Sequence, residues 1–246
     1  KMAASMDDFE PRVVLPGDSL MGHIPGELHG KITLGPGLRQ DETKIFSTKA
    51  GILKRKNPHT FWIDCHQKRY VPAKGDKVLG VVTQKAGDVF RVDIGGQSQA
   101  ILSYLAFEGA TKRNRPNVQV GDVVYAKLLV ANRDMEPELV CIDSSGRSQG
   151  LGVVGSDGFM FRCTLGLVRR LLLKDCPMLK FLGEKISYEI AIGMNGRIWV
   201  RAKSIHTTIA VVTALTNCEF MSEDDMKKML RKLVAAGFHD SRPKPN

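Results

Sequence analysis

The sequence predicts a mixed, multidomain chain: a small all-β module, then a five-stranded barrel, then an α/β module. Three observations predict it. Short apolar runs separated by Gly, Pro and polar turns fill the first half of the chain. Five of them, VLGVVTQ, DVFRVDIG, QAILSY, DVVYAKLLVA and ELVCID, follow one another with a basic loop between the third and fourth. From Gly146 the pattern changes to strand–helix–helix–strand–strand–helix. A length of 246 residues suits two or three modules, and the pattern bounds them at 12–65, 66–145 and 146–236.

The first module opens after residues 1–11, which read as a disordered leader. RVVLPGDSL is a short strand stopped by Pro16-Gly17-Asp18, and KITLGPGLRQ, TKIFSTKAGIL and TFWIDC are further β-type runs. The core these can build is small, so the module is expected to lean on a neighbouring domain or subunit. Nothing in it looks catalytic.

Five strands in this order are the mark of an OB-fold, a Greek-key barrel that often grips single-stranded nucleic acid. The loop between strands three and four, SYLAFEGATKRNRPNVQVGD, carries Lys112, Arg113 and Arg115 with no acid beside them in sequence. In the second strand Phe90 and Val92 alternate with Val89, Arg91 and Asp93. If the first pair faces the core, Arg91 and Lys85 lie outside near the basic loop. Phe90 has two readings, a core residue or a platform on which a base stacks.

In the third module GFMFRCT reads as a strand and LGLVRRLLL as a short helix. KDCPMLKFLG begins with a break at Pro177 and then makes a second helical turn. Two strands in ISYEIAIGMNGRIWVRA are joined by GMNG. A helix capped by Ser204 follows, then one capped by Ser222 with acids in its first turn and cations later. This is the order of a KH domain, an RNA-binding α/β module. Its phosphate clamp, Gly-x-x-Gly between the first two helices, is absent: that position reads LLLKDCPML. GMNG sits between strands, where Asn-Gly signals a hairpin, so it reads as a turn or a docking point for another domain. The tail HDSRPKPN reads as frayed.

Charge narrows the partners. Thirty-six Lys and Arg against 26 Asp and Glu leave a net +10, which favours a polyanion. The excess is clustered, at net +7 between Lys49 and Lys85 and net +6 between Arg162 and Lys203. Five scattered cysteines form no C-x-x-C and no zinc spacing; Cys65, Cys141 and Cys163, inside apolar strand-like runs, read as buried free thiols, which points to a soluble intracellular protein. No apolar run nears the length that crosses a bilayer, and no membrane partner is expected. Glu223, Asp224 and Asp225 suit a helix start rather than a metal site, and no P-loop, nucleophile elbow or dinucleotide fingerprint occurs. No catalytic residue, metal or cofactor is expected.

YVPAKGDKVLGVV, FEGATKRNRPNVQVGD, SSGRSQGLGVVGSDG and GMNGRIWVRA together resemble the RNA-binding cap subunits of the eukaryotic RNA exosome. Among these the likeness is to the family of the ribosomal RNA-processing protein forty, also called exosome component three, and it runs from about Arg12 to Leu233. The resemblance implies an N-terminal β domain, an OB-fold of the ribosomal protein S-one type, and a KH domain. It implies a non-catalytic subunit that stabilises a ring of ribonuclease-PH-like proteins beside other cap subunits. Such a subunit guides RNA into a central channel, where other subunits degrade it from the 3′ end. It also implies residence in nucleus, nucleolus and cytoplasm. By position, Lys85, Phe90, Arg91, Lys112, Arg113 and Arg115 would face RNA, single-stranded and with little sequence preference; Lys54, Arg55 and Lys56 would join that surface. The alternatives are a free-standing RNA-binding protein of ribosome assembly or translation, and a nuclease whose site the sequence does not display.

Overall fold

The computed structural model describes residues 12–20, 32–56, 59–132, 134–173 and 176–235. The leader and tail read from the sequence lie outside the described residues. The chain divides after His66 into two compact units.

In the first unit, β1 (Arg12–Val14), β2 (Thr33–Leu34), β3 (Leu38–Asp41), β4 (Lys44–Ser47), β5 (Gly51–Lys56) and β6 (Thr60–Asp64) follow the apolar runs of the sequence. The first, fifth, sixth and second strands pair in that order as one sheet, and β3 and β4 form a hairpin. Alternation puts Phe61 and Ile63 inward, against Val14, Leu20, Ile45 and Leu53. Lys54 and Arg55, one residue apart on β5, take different partners: the Lys54 ammonium pairs with Asp64, and Arg55 lies over the Phe61 ring.

The second unit begins with the barrel strands β7 (Lys77–Ala86), β8 (Val89–Asp93), β9 (Ala100–Ser103), β10 (Val123–Val130) and β11 (Glu138–Val140), joined by a short β12 (Gly152–Val153). Consecutive antiparallel pairs link β7 to β8 and β8 to β9. Strand β11 runs parallel to β9 and antiparallel to β10, and β10 returns to β7, which closes the barrel. Val78, Val82, Phe90, Val92, Leu102, Val124, Ala126 and Leu139 fill it. Gly80 sits where the wall passes closest, since a Cβ there would strike Val92. The Gly/Ser-rich stretch after Ser145, read from the sequence as a connection, supplies β12, which pairs with β10.

The α/β layer then runs β13 (Phe159–Arg162), α1 (Leu165–Leu171), α2 (Pro177–Lys185), β14 (Tyr188–Gly193), β15 (Arg197–Ala202), α3 (Ile205–Asn217) and α4 (Glu223–Ala235). Strand β15 lies between β13 and β14, antiparallel to both. Thr164 caps α1 by accepting from the Leu167 N–H, Ser204 caps α3 through Thr207, and Ser222 accepts from the Asp225 N–H. Pro177 occupies the first turn of α2, where a missing N–H costs nothing. Leu167, Leu171, Met178, Leu182, Ile198, Val200, Val211 and Leu215 make a second core.

The GMNG turn joins the two cores. Met194 packs against both. The Asn195 side-chain amide donates to the carbonyls of Leu79 (2.7 Å) and Ile94 (2.8 Å) and accepts from the Leu79 N–H (3.2 Å). With every polar atom of that amide engaged, Asn195 is a clasp between barrel and α/β layer.

Candidate nucleic-acid interface

The basic loop grows from the barrel through local turn chemistry. After β9 a 3-10 turn, Tyr104–Ala106, is capped by Ser103. Asn114 then shapes the loop: its N–H donates to the Thr111 hydroxyl (3.0 Å), its side-chain amide donates to the Gly109 carbonyl (3.2 Å), and its carbonyl accepts from the Thr111 N–H (3.0 Å). Asn favours such turns because its short amide mimics a backbone group. The result holds Lys112 and Arg113 exposed on a hydrogen-bonded turn. Among the described residues neither has an ion pair.

Arg115 is placed differently. Its guanidinium lies 4.7 Å from the Tyr104 ring centroid and 3.1 Å from the Asp88 carboxylate, and Asp88 belongs to the turn between β7 and β8. The acid absent from the neighbouring sequence thus arrives through the fold. Arg91, on the outside of β8, similarly meets Glu136 at 3.4 Å. Both pairs are solvent-exposed and worth at most about 1 kcal/mol each. A phosphate can displace either acid, so the surface remains positive: five cations (Lys85, Arg91, Lys112, Arg113, Arg115) face two acids.

The expectation for Phe90 is corrected. Its side chain is 3% exposed in the barrel core, with the Phe107 ring edge-on at 6.5 Å and the Lys85 ammonium 5.6 Å away. Period-two alternation puts Phe90 and Val92 on one face, and barrel closure makes that face the inside. No base can stack on Phe90. Tyr104 is buried as well, and Phe107 half-buried. The loop region is therefore equipped for phosphates rather than for bases. Lys85 itself is exposed, one register pair from Arg91. Lys54 and Arg55 belong to the first unit and are engaged within it.

Sequence reasoning missed Asn114, Asp88 and Glu136. For Asn114 a signal was present: Asn-Arg-Pro is turn chemistry inside a run of cations. For the acids none was, because their partners are distant in sequence.

A closed five-stranded barrel with a basic loop, followed by a KH-type layer without its glycine clamp, defines an S1-plus-KH protein of the nucleic-acid-binding class. Three family models match: "Exosome complex component RRP40, S1 domain" over residues 70–152, "KH domain" over 158–206, and "Mammalian exosome complex component RRP40, N-terminal" over 12–66. Exosome complex component RRP40 of Bos taurus is 49% identical over 91% of this chain and 90% of its own length. The human RRP40 is 52% identical over 83% of this chain and 76% of its own length. The archaeal exosome complex component Rrp4 of Ignisphaera aggregans is 27% identical over 89% and 87%. A crystal structure described as a candidate exosome complex RNA-binding protein shares the fold, with a TM-score of 0.57 and 24% identity over 68% of this chain and 97% of that one. The chain belongs to the RRP40 family of exosome components.

Proposed function

We propose that the chain is a non-catalytic RNA-binding cap subunit of an RNA exosome. It stabilises a ring of ribonuclease-PH-like subunits beside other cap subunits and leads RNA into the channel for 3′ to 5′ degradation elsewhere in the assembly. The observation that carries the reading is the ordered, solvent-exposed Lys112–Arg113 turn on a closed barrel, in a chain of the RRP40 family. Relatives bear the name exosome complex component, and that name is the basis for the assembly partners.

The mechanism follows from the chemistry of the loop. Cations without exposed aromatic platforms neutralise phosphates and release counterions, so binding is weak, salt-dependent and nearly blind to sequence. Contacts from neighbouring subunits raise effective concentration and convert weak holds into a guided path. Residence in nucleus, nucleolus and cytoplasm belongs to the same proposal.

Size-exclusion chromatography of native extract tests it. Co-elution with ring subunits in an assembly many times the mass of the chain is expected. Elution as a lone RNA-binding monomer would favour a free-standing factor of ribosome assembly or translation. RNA cleavage by the purified chain, abolished by one carboxylate substitution, would make it a nuclease.

A further inference from the structure

The sequence shows two basic clusters, and the loop uses almost none of either. The fold brings members of both together. Lys68 and Arg69, on the segment leading into the barrel, Arg162 at the end of β13 and Arg197 at the start of β15 line one cleft of about 390 Å³. Tyr70, Gly95, Cys163 and the Asn195-Gly196 turn complete its lining. Arg162 and Arg197 are register partners on adjacent strands, which is where two cations should repel unless something neutralises them.

Neutralisation inside the protein is partial. Arg197 is buried and donates to the Asp93 carbonyl and carboxylate, both at 2.6 Å. Lys68, Arg69 and Arg162 are exposed and have no ion pair among the described residues. Glu219, whose field reaches Cys163, is engaged by the Thr164 hydroxyl. Three cations thus face open space across the cleft, while the Asp93 carboxylate beside it is already bonded to Arg197 and to the Gly95 N–H.

The lining also says what kind of ligand fits. It offers no exposed apolar anchor: Tyr70 is buried with its hydroxyl on Asp76, and Cys163 is half-buried. Protein partners usually seat an apolar or aromatic anchor at the centre of an interface. Nucleic-acid interfaces are polar and strongly positive instead. Guanidinium forks and an ammonium suit phosphate oxygens.

We propose that this cleft is a second phosphodiester-binding site, holding the backbone of an RNA strand between Lys68 and Arg69 on one side and Arg162 on the other. The proposal rests on the reading that the chain binds RNA. The cleft and the basic loop lie near opposite ends of β8, roughly 17 Å of strand apart. At that separation their contributions add independently.

The experiment uses the full chain, fluorescence anisotropy and a labelled oligouridylate of about a dozen nucleotides over a salt series. The cleft variant Lys68→Ala/Arg69→Ala/Arg162→Ala should lower affinity several-fold and flatten the log–log salt slope by up to about 2. The loop variant Lys112→Ala/Arg113→Ala should flatten it separately, and the combined variant by the sum. The charge-conserving Lys68→Arg/Arg69→Lys/Arg162→Lys should keep the slope, which separates lost charge from damaged fold. A cleft variant with an unchanged slope beside a loop variant with a flattened one overturns the cleft and leaves the RNA reading standing. Wild-type chain that shows no salt-dependent RNA binding overturns both. Oligoglutamate of matching charge that displaces RNA from the cleft at equal concentration overturns the RNA assignment in favour of an acidic peptide.

Discussion

The guanidinium of Arg197 and the carboxylate of Asp93 meet at 2.6 Å across the boundary between α/β layer and barrel, with the Arg197 side chain only 3% exposed. A second bond runs from the same guanidinium to the Asp93 carbonyl. Burial alone would raise the Asp93 pKa. The Arg197 hydrogen bond, the Gly95 N–H and the charges of Arg197 and Arg162 outweigh it and hold the carboxyl below its ordinary value. A depressed folded-state pKa adds stability that is complete above the unfolded value of about 3.9 and is lost as pH falls through the lower folded value. Asp93→Asn should therefore shift the urea midpoint at neutral pH while flattening the acid limb of the stability curve below about pH 4. An acid limb as steep in the variant as in the wild type would disconnect Asp93 from acid sensitivity.

Asn195 makes a sharper demand. Truncating it to Ala leaves the Leu79 N–H and the Leu79 and Ile94 carbonyls without partners at a buried junction. Each such group costs about 1–3 kcal/mol. Asn195→Ala should lose about 3 kcal/mol or more, read as a lowered urea midpoint of the second unit. Gly193→Ala should act similarly by a different route, since a Cβ there would press on the Asn195 side-chain Oδ1 and the Leu79 backbone nitrogen. Asn195→Asp would retain the acceptor but lose both donors, and should fall no less than Ala. Thermal melts of the three variants that coincide with the wild type would mean that the junction is held elsewhere.

This junction marks where reading the sequence stopped working. The five barrel strands and the strand–helix order of the α/β layer were legible because period-two alternation and Gly-Asp turns are local. So was the turn at Asn195, since Asn-Gly between strands is local chemistry too. Arg197 was not: among the nine cations from Arg162 to Lys203 nothing sets it apart until its partner, 104 residues away, is in place. Phe90 shows the same limit in reverse. Alternation says that Phe90 and Val92 share a face, but only closure of β11 onto both β9 and β10 says that the face is interior. Asp88 and Glu136 reach Arg115 and Arg91 for the same non-local reason.

The cysteines yield a chemical prediction. Burial pushes the Cys141 thiol up to about 12. Burial, with the nearby Glu219 and Cys218, does the same for Cys163. Cys218 rises to about 11, again through burial, with the Arg170 charge pulling the other way. Thiolate is the reactive form, and near pH 8 these sites hold it at about one part in a thousand or less. Iodoacetamide should leave all three unmodified in the native chain and modify them promptly in urea, as followed by peptide mass spectrometry. Rapid native labelling of Cys141 would contradict its place inside the barrel.

The loop prediction separates charge from order. Lys112 and Arg113 stand in solvent, whereas Arg115 lies against the Tyr104 ring and near Asp88. Each cation that meets a phosphate contributes about 0.7 to the salt slope for a single strand. Lys112→Ala and Arg113→Ala should each flatten the slope by about that amount, and Arg115→Ala by less. Asn114→Ala removes no charge but deletes the side-chain bond to the Gly109 carbonyl and so loosens the turn, whose bonds between the Asn114 backbone and Thr111 stay. Ordering that turn on binding would then cost about 1 kcal/mol, roughly a fivefold loss of affinity at an unchanged slope. Anisotropy over a salt series distinguishes the two effects in one titration. If Asn114→Ala flattens the slope, the turn positions a charge that only its native shape brings to the RNA; if it changes nothing, the loop adapts to the strand and its geometry has no part in holding it.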